Sequence, residues 1–257
     1  MRNYFGGAVI LASFGSADDS IREKIFDTLA NDIRKNLPAF EVRQAFTSNF
    51  MIRKLERRNI FVPTVDAAIL KLRAEGFTKI FVLPTHLTAG EEFDNKIKPC
   101  AADDVEIISP LISSDCATPF DKKVFATILD CFPRADDEIL ILIGHGSPHR
   151  HNPVYENLQR LSDEVLIGVL EPTDTPNFDD VVARLKNFRT KKILLAPLLF
   201  NGGVHLAKDI SDTWKNRLIA LGYGVRVSAD GLGAFEKFRR LYVEKLRGVI
   251  DFGRSQD

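Results

Sequence analysis

The amino-acid sequence predicts an α/β protein of two similar domains, each with a parallel four-stranded sheet flanked by helices. Near-continuous apolar segments, typical of strands buried on both faces, alternate with segments of helical spacing. The same series starts again near Asp136, in the same order and with similar spacing. The 257 residues, 45% of them hydrophobic, are enough for two modest domains with proper cores.

In the first half, the earliest apolar run follows a single arginine and is too short for a signal peptide, so it is interpreted as the first strand. Further apolar runs alternate with helical patterns. The predicted strands are residues 8–14, 41–46, 79–84 and 105–110, and the predicted helices are residues 21–36 and 65–75.

The second half repeats this order of strands and helices. Its predicted strands are residues 139–144, 164–170, 192–197 and 225–229, and its predicted helices are residues 153–163, 178–188 and 208–221. Apolar strands that alternate with helices predict parallel sheets covered on both faces.

The domain boundary is expected in residues 113–137, which are rich in aspartate and proline and contain a predicted helix over residues 121–131. We therefore predict an N-terminal domain of residues 1–120 and a C-terminal domain of residues 121–257. The last predicted helix, residues 234–249, is expected to pack back onto the first domain.

Composition excludes several classes of partner. The 35 basic and 35 acidic residues cancel, so no net field steers the chain toward nucleic acid or an anionic membrane. No segment approaches the roughly 20 apolar residues that a membrane span needs. Three cysteines without a C-x-x-C pair suit a reducing compartment. We expect a cytoplasmic protein, and the sequence does not predict an oligomeric state.

The histidines share one position in the pattern, just past the end of a predicted strand. They are His86, His145, His149, His151 and His205. Because ligands gather at the carboxyl ends of parallel strands, this placement predicts one shared site.

His145 lies in the turn Gly144-His145-Gly146-Ser147, which matches Ser13-Phe14-Gly15-Ser16 after the first strand of the first half. Glycine lets the backbone approach a ligand closely, while serine and free amides at a helix start can hold a carboxylate or phosphate. The alternative is a tight connection with an incidental histidine. The position between a strand and a helix favours function.

The loops after the third strand of each half also correspond. Each pairs a strand-ending proline with a glycine-containing loop, and each ends near a metal-binding side chain, Glu91 or Glu92 in the first half and His205 in the second. At least one of the two glutamates is expected to be solvated at a helix N-terminus, where negative charge is favourable.

His145 and His205 with one carboxylate would supply donors for a divalent transition metal. The sequence has neither H-E-x-x-H nor paired C-x-x-C, which argues against a permanent structural zinc. A site assembled from distant loops suits a metal ion that the protein binds transiently and then transfers. His149 and His151 are interpreted as exposed loop residues or accessory contacts.

Several dispersed segments together resemble one family, the class II tetrapyrrole chelatases, and within it the anaerobic-pathway sirohydrochlorin cobaltochelatases. The matching segments are residues 11–16, 40–48, 84–93, 144–155 and 197–209. Because these segments follow one another in the family's order along nearly the whole chain, the resemblance is more specific than a match to a single turn would be.

This resemblance implies a chelatase-like fold with the active site in the cleft between the two domains. It implies that His145, His205 and Glu92 take up the metal ion, with His145 as the principal catalytic residue. The residues expected to bind the substrate are Ser13, Phe14, Gly15, Ser16, His86, Gly146 and Ser147.

The implied activity is ATP-independent insertion of Co²⁺ into sirohydrochlorin in anaerobic cobalamin (vitamin B12) biosynthesis. The absence of a G-x-x-x-x-G-K-[ST] phosphate loop agrees with ATP independence. No permanently bound cofactor is expected, and Co²⁺ is the substrate metal, with Fe, Ni or Zn as surrogates.

Two alternatives remain open. Pro148 and Arg150 depart from the family pattern, which leaves a non-catalytic tetrapyrrole- or metal-binding protein as one. The other is a chelatase for Fe²⁺ or Ni²⁺, or one that removes iron from haem, because imidazole and carboxylate donors select poorly among these ions.

Overall fold

Two four-stranded parallel sheets form the framework of a computed structural model of the protein, which describes residues 7–148, 151–202, 208–228 and 230–254. Strands β1 to β8 are, in order, Gly7–Ser13, Phe40–Phe46, Ile80–Pro84, Val105–Ile107, Glu138–Gly144, Val165–Val169, Lys192–Pro197 and Gly224–Val227. The first sheet has the order β2-β1-β3-β4 and the second the order β6-β5-β7-β8. All strand pairs are parallel, so the predicted fold class is confirmed.

Helices connect the strands in both sheets. Helices α1 to α5 are Asp19–Ile21, Thr28–Asn36, Asn49–Glu56, Val65–Ala74 and Glu91–Lys96, and α6 to α10 are Pro119–Cys131, Val154–Gln159, Phe178–Leu185, Asn216–Ala220 and Glu236–Arg254. A π-helical segment, Arg22–Asp27, joins α1 to α2, and a second, Ile210–Lys215, precedes α9.

The central strand of each sheet is buried almost along its whole length, which explains the continuous apolar runs. Residues 8–13 of β1 and residues 139–144 of β5 are all buried. Ile10 and Ile80 pack with Leu72 of α4 in the first core, and Ile141 packs with Trp214 in the second. Helices therefore cover these strands, as expected for parallel sheets.

Two helix starts follow directly from local sequence. Thr118 and Asp121 form a reciprocal capping box at the start of α6, and Asn177 and Asp180 form another at the start of α8. Each box satisfies backbone N–H groups that have no partner within the helix.

Helices α3 and α5 were not among the elements predicted from the sequence. They have 8 and 6 residues, and in α5 only Phe93 is buried. Such short segments give too few apolar positions for a helical period to be recognised.

The chain divides into two units. Unit 1 comprises the residues up to Leu111 together with those from Arg239 onward, and unit 2 comprises Ile112–Phe238. This division lies earlier than the predicted boundary after residue 120. Asp121 accepts hydrogen bonds from the backbone N–H of Ser113 at 2.8 Å and from its hydroxyl at 2.6 Å. These bonds hold the segment before α6 to α6 itself.

Helix α10 supplies side chains to unit 1 from the far end of the chain. The hydroxyl of Tyr242, which is fully buried, donates to the carbonyl oxygen of Thr85 at 2.9 Å. The guanidinium of Arg239 donates to the carboxylate of Asp32 at 2.7 Å. The residue before His86 is thus bound to the last helix.

None of the helices within the described ranges is long and apolar enough to cross a membrane. The cytoplasmic location stays a prediction.

Candidate active site

The turn after β5 presents His145 to solvent, while Gly144 before it is buried. The ring Nδ1 lies 3.2 Å from the carbonyl oxygen of Gly146. A carbonyl can only accept, so Nδ1 carries the proton in the neutral imidazole and the lone pair is on Nε2. This tautomer leaves Nε2 as the nitrogen that can bind a metal ion.

Packing against Tyr155 explains the glycine before His145. A Cβ added to Gly144 would lie 2.2 Å from a ring carbon of Tyr155, closer than any real contact. Tyr155 is buried, and its hydroxyl accepts from the backbone N–H of Gly146 at 3.5 Å. Burial raises the pKa of this phenol, so it is neutral near pH 7.

The other side of the same turn contacts Glu171, which sequence analysis did not select. The backbone N–H of Glu171 donates to the carbonyl oxygen of His145 at 3.0 Å, and a Cβ on Gly146 would lie 2.9 Å from the Glu171 Cβ. Gly146 has φ +75°, a conformation that favours glycine. A signal was present, because Glu171 is the first residue after a predicted strand. It is the same kind of position that singled out the histidines.

Ser147 and His151 are joined by a carboxylate. Asp174 accepts from the backbone N–H of Ser147 at 2.9 Å and lies 2.8 Å from Nδ1 of His151. The His151 residue is exposed, as expected for an accessory contact. His149 and His205 lie outside the described residues.

The matching turn in unit 1 has no imidazole and is more enclosed. Ser13, Gly15 and Ser16 are buried, whereas Phe14 is 42% exposed. Gly15 has φ +97°, and a Cβ there would lie 2.4 Å from the ring of Phe46. Phe14 is therefore the side chain of this turn best placed to meet a ligand.

The loop after β3 brings His86 and Glu92 into one polar cluster with Thr47. Both ring nitrogens of His86, the Thr47 hydroxyl and Oε2 of Glu92 are buried and find no hydrogen-bond partner among the described residues. Lys96 donates to the carbonyl oxygen of Thr47 and to Oε1 of Glu92, both at 2.9 Å. Buried polar atoms without partners are rare in folded proteins, so this cluster is suited to meet a polar ligand.

Burial determines the charge of His86. Removal from solvent lowers its pKa from 6.5 to about 4, although the Glu92 carboxylate acts in the opposite direction. The imidazole is therefore neutral at pH 7, with one donor and one acceptor nitrogen.

The same shift predicts a pH-dependent stability. An unfolded histidine binds a proton below about pH 6.5, whereas folded His86 does so only near pH 4, so stability is lost as pH falls through this window. Between pH 7 and pH 5 we expect the free energy of unfolding of the wild type to fall by about 2 kcal/mol more than that of His86→Leu. Urea unfolding at both pH values measures this difference. Parallel pH curves for the two proteins would contradict it.

The predicted site residues thus fall into two groups in the structure. Gly146 and Ser147 accompany His145 in unit 2, and His86 and Glu92 belong to unit 1 with the turn at residues 13–16. The predicted convergence of His145, His205 and Glu92 on one ion stays a prediction, as does the predicted cleft.

Comparison with known proteins gave consistent matches. The family model "Cobalt chelatase (CbiK)" matches residues 7–251. The chain is 27% identical over 261 residues to a sirohydrochlorin cobaltochelatase, CbiKC, of Nitratidesulfovibrio vulgaris, with 94% of this chain and 90% of that protein covered. It is 24% identical to a sirohydrochlorin cobaltochelatase of Salmonella typhimurium, with 95% and 96% covered.

Solved structures agree on the fold. SirB from Bacillus subtilis with Fe³⁺ matches with a TM-score of 0.62 and 15% identity, covering 97% of both chains. The complex of the sirohydrochlorin chelatase SirB from Bacillus subtilis subspecies spizizenii with cobalt also gives a TM-score of 0.62, at 14% identity. At these identities the likeness establishes the architecture of two parallel sheets.

Proposed function

Because the chain belongs to the cobalt chelatase (CbiK) family, we propose that it inserts Co²⁺ into sirohydrochlorin without nucleotide hydrolysis, in the anaerobic route to cobalamin. The names of both curated relatives support the metal and the macrocycle. The observation that carries the proposal is His145, an exposed imidazole on a glycine-flanked turn at the carboxyl end of a buried strand.

The reaction replaces two protons by one divalent ion. Co²⁺ must shed water and enter four ring nitrogens, while two pyrrole N–H groups lose their protons. Charge balances, because two protons leave as two positive charges enter. The Nε2 lone pair of His145 can hold the ion and, once the ion has passed to the ring, accept one of the displaced protons.

The proposed metal ligands are His145, His205 and Glu92. Oε1 of Glu92 is occupied by Lys96, but Oε2 has no hydrogen-bond partner within the part of the chain that the structure describes and can bind an ion. Glu171 is a second candidate carboxylate, because its backbone is bonded directly to that of His145. A carboxylate beside the imidazoles would offset the charge of the incoming ion.

The substrate-binding residues proposed are the turn at residues 13–16 with His86, Gly146 and Ser147. Sirohydrochlorin carries eight carboxylates, and a chain of zero net charge must meet them with local donors. Exposed Phe14 offers an apolar face for the ring system. His86, neutral and half-buried with both ring nitrogens enclosed, supplies one N–H donor.

The test is metal insertion followed by absorption spectroscopy. Purified protein, Co²⁺ and excess sirohydrochlorin should give the metallated spectrum faster than the uncatalysed control, with several macrocycles converted per protein molecule. Glu92→Gln and Glu171→Gln in the same assay identify the carboxylate that binds the ion. Tight binding without acceleration would instead favour a carrier.

The metal preference is read from the same assay. Fe²⁺ and Ni²⁺ compete with Co²⁺ at a fixed concentration of macrocycle, because imidazole and carboxylate donors alone select poorly among late first-row ions. Faster insertion of either ion would assign the protein to that metal.

A further inference from the structure

Asp174 is a carboxylate enclosed by unit 2 in the loop between β6 and α8. Its side chain has no solvent exposure. Oδ2 accepts from the backbone N–H of Ser147 at 2.9 Å. Oδ1 lies 2.8 Å from Nδ1 of His151 and accepts from the backbone N–H of Thr175, also at 2.8 Å. Both oxygens are therefore occupied.

Burying a carboxylate costs free energy unless hydrogen-bond donors compensate it. The three contacts of Asp174 supply this compensation. Two of the three donors belong to the segment that follows His145, namely Ser147 and His151. Asp174 thus connects the histidine turn to the β6–α8 loop. An exposed turn of glycine and serine would otherwise have many accessible backbone conformations.

The turn is also held at two other points. The N–H of Glu171 binds the carbonyl oxygen of His145, and the hydroxyl of Tyr155 binds the N–H of Gly146. The hydrogen bond to Tyr155 is long, at 3.5 Å. Both of these hydrogen bonds join uncharged groups. Asp174 supplies the charge-assisted bond, which is roughly twice as strong as a neutral one.

We propose that Asp174 is the positioning residue for His145, acting through the N–H of Ser147. This inference rests on the proposed function, because it assigns Asp174 to the same metal-transfer step. Asp174 touches neither ion nor macrocycle in this role. It fixes the backbone from which the imidazole projects, so that Nε2 meets the ion in one orientation.

His151 contacts the other oxygen of Asp174, Oδ1. Nε2 of His151 lies 3.9 Å from Oε2 of Glu156, and the Thr175 hydroxyl donates to Oε1 of Glu156 at 3.0 Å. His151, which the sequence predicts to be an accessory contact, thus belongs to the support of the site. Its loss leaves Asp174 with both backbone donors, so its effect should be smaller.

The test compares Asp174→Asn with Asp163→Asn, a control at an exposed carboxylate of the same unit. Asparagine keeps the shape of the side chain but removes the charge and turns an N–H₂ group toward a donor. We expect Asp174→Asn to lower the affinity for Co²⁺ alone, and kcat/KM for metal insertion, by about 10- to 100-fold. Asp163→Asn should match the wild type.

A double-mutant cycle with His145→Ala distinguishes positioning from general damage. If Asp174 acts through His145, Asp174→Asn should weaken Co²⁺ binding little further once the imidazole is absent. The ligand-field absorption of bound Co²⁺ should also change in Asp174→Asn. An equal loss of affinity in both backgrounds, or wild-type affinity in Asp174→Asn, would overturn the inference.

A second variant guards against loss of the fold. His151→Gln keeps both backbone hydrogen bonds of Asp174, and we expect its affinity for Co²⁺ to fall a few-fold. If Asp174→Asn does not fold, a folded His151→Gln with wild-type Co²⁺ affinity would count against the inference. The proposed function fails separately, if the wild type does not accelerate insertion. The Co²⁺ titrations need no macrocycle and still test Asp174 in that case.

Discussion

His145→Ala is expected to reduce the rate of cobalt insertion to that of the uncatalysed control. The substitution removes the nitrogen proposed both to hold the ion and to accept a proton from the ring. Because His145 is exposed, the free energy of unfolding should change by no more than about 0.5 kcal/mol. The measurement is the initial rate of metallation, with urea unfolding of the same sample.

Added imidazole provides the control for this variant. A small base can reach an exposed position, so it should restore part of the rate to His145→Ala and leave the wild type unchanged. If His145→Ala inserted cobalt at the wild-type rate, His145 would have no part in the transfer and the site would have to be sought elsewhere.

Gly144→Ala is expected to damage both stability and activity, although it adds one methyl group. The new Cβ would lie 2.2 Å from a buried ring carbon of Tyr155, so either the ring or the strand end must move. Overpacking of this kind costs about 1–3 kcal/mol. Movement of the strand end also displaces His145, so kcat/KM should fall. Urea unfolding and the metallation assay measure the two effects.

Gly248→Ala is the matched control. This glycine lies in α10, and an added Cβ meets no atom of the described residues within 4 Å. Alanine favours the helix, so the same substitution should raise the free energy of unfolding by about 0.5–1 kcal/mol and leave activity unchanged. Wild-type stability and activity in Gly144→Ala would mean that Tyr155 moves aside at little cost.

The strands were predictable because burial on both faces leaves a continuous apolar run in the sequence. The predicted strand at residues 139–144 and the observed Glu138–Gly144 differ by one residue at one end. The strand predicted at residues 105–110 ends earlier, at Ile107, although Ile108 and Pro110 are still buried. Hydrophobicity reports burial, and it does not report where the hydrogen-bonded ladder stops.

The site was predictable only where a local pattern marked it. The turn with His145 has a strand before it and glycines around the imidazole. Its supports Glu171 and Asp174 lie in another loop, and only the pairing of β5 with β6 brings that loop to the turn. Glutamate and aspartate in a polar loop are ordinarily solvated. Glu171 carries one local signal, its position directly after a predicted strand, whereas nothing local distinguishes Asp174.

The bond between Tyr242 and Thr85 has a consequence for how the protein is made. Unit 2 is one contiguous stretch, Ile112–Phe238, whereas unit 1 needs side chains from α10. A ribosome releases α10 only after the whole of unit 2 has been synthesised. The strands of unit 1 therefore emerge first, but the unit is completed last, contrary to the usual N-terminal-first order. The loop that carries His86 and Glu92 is therefore fixed in place only after α10 has been synthesised.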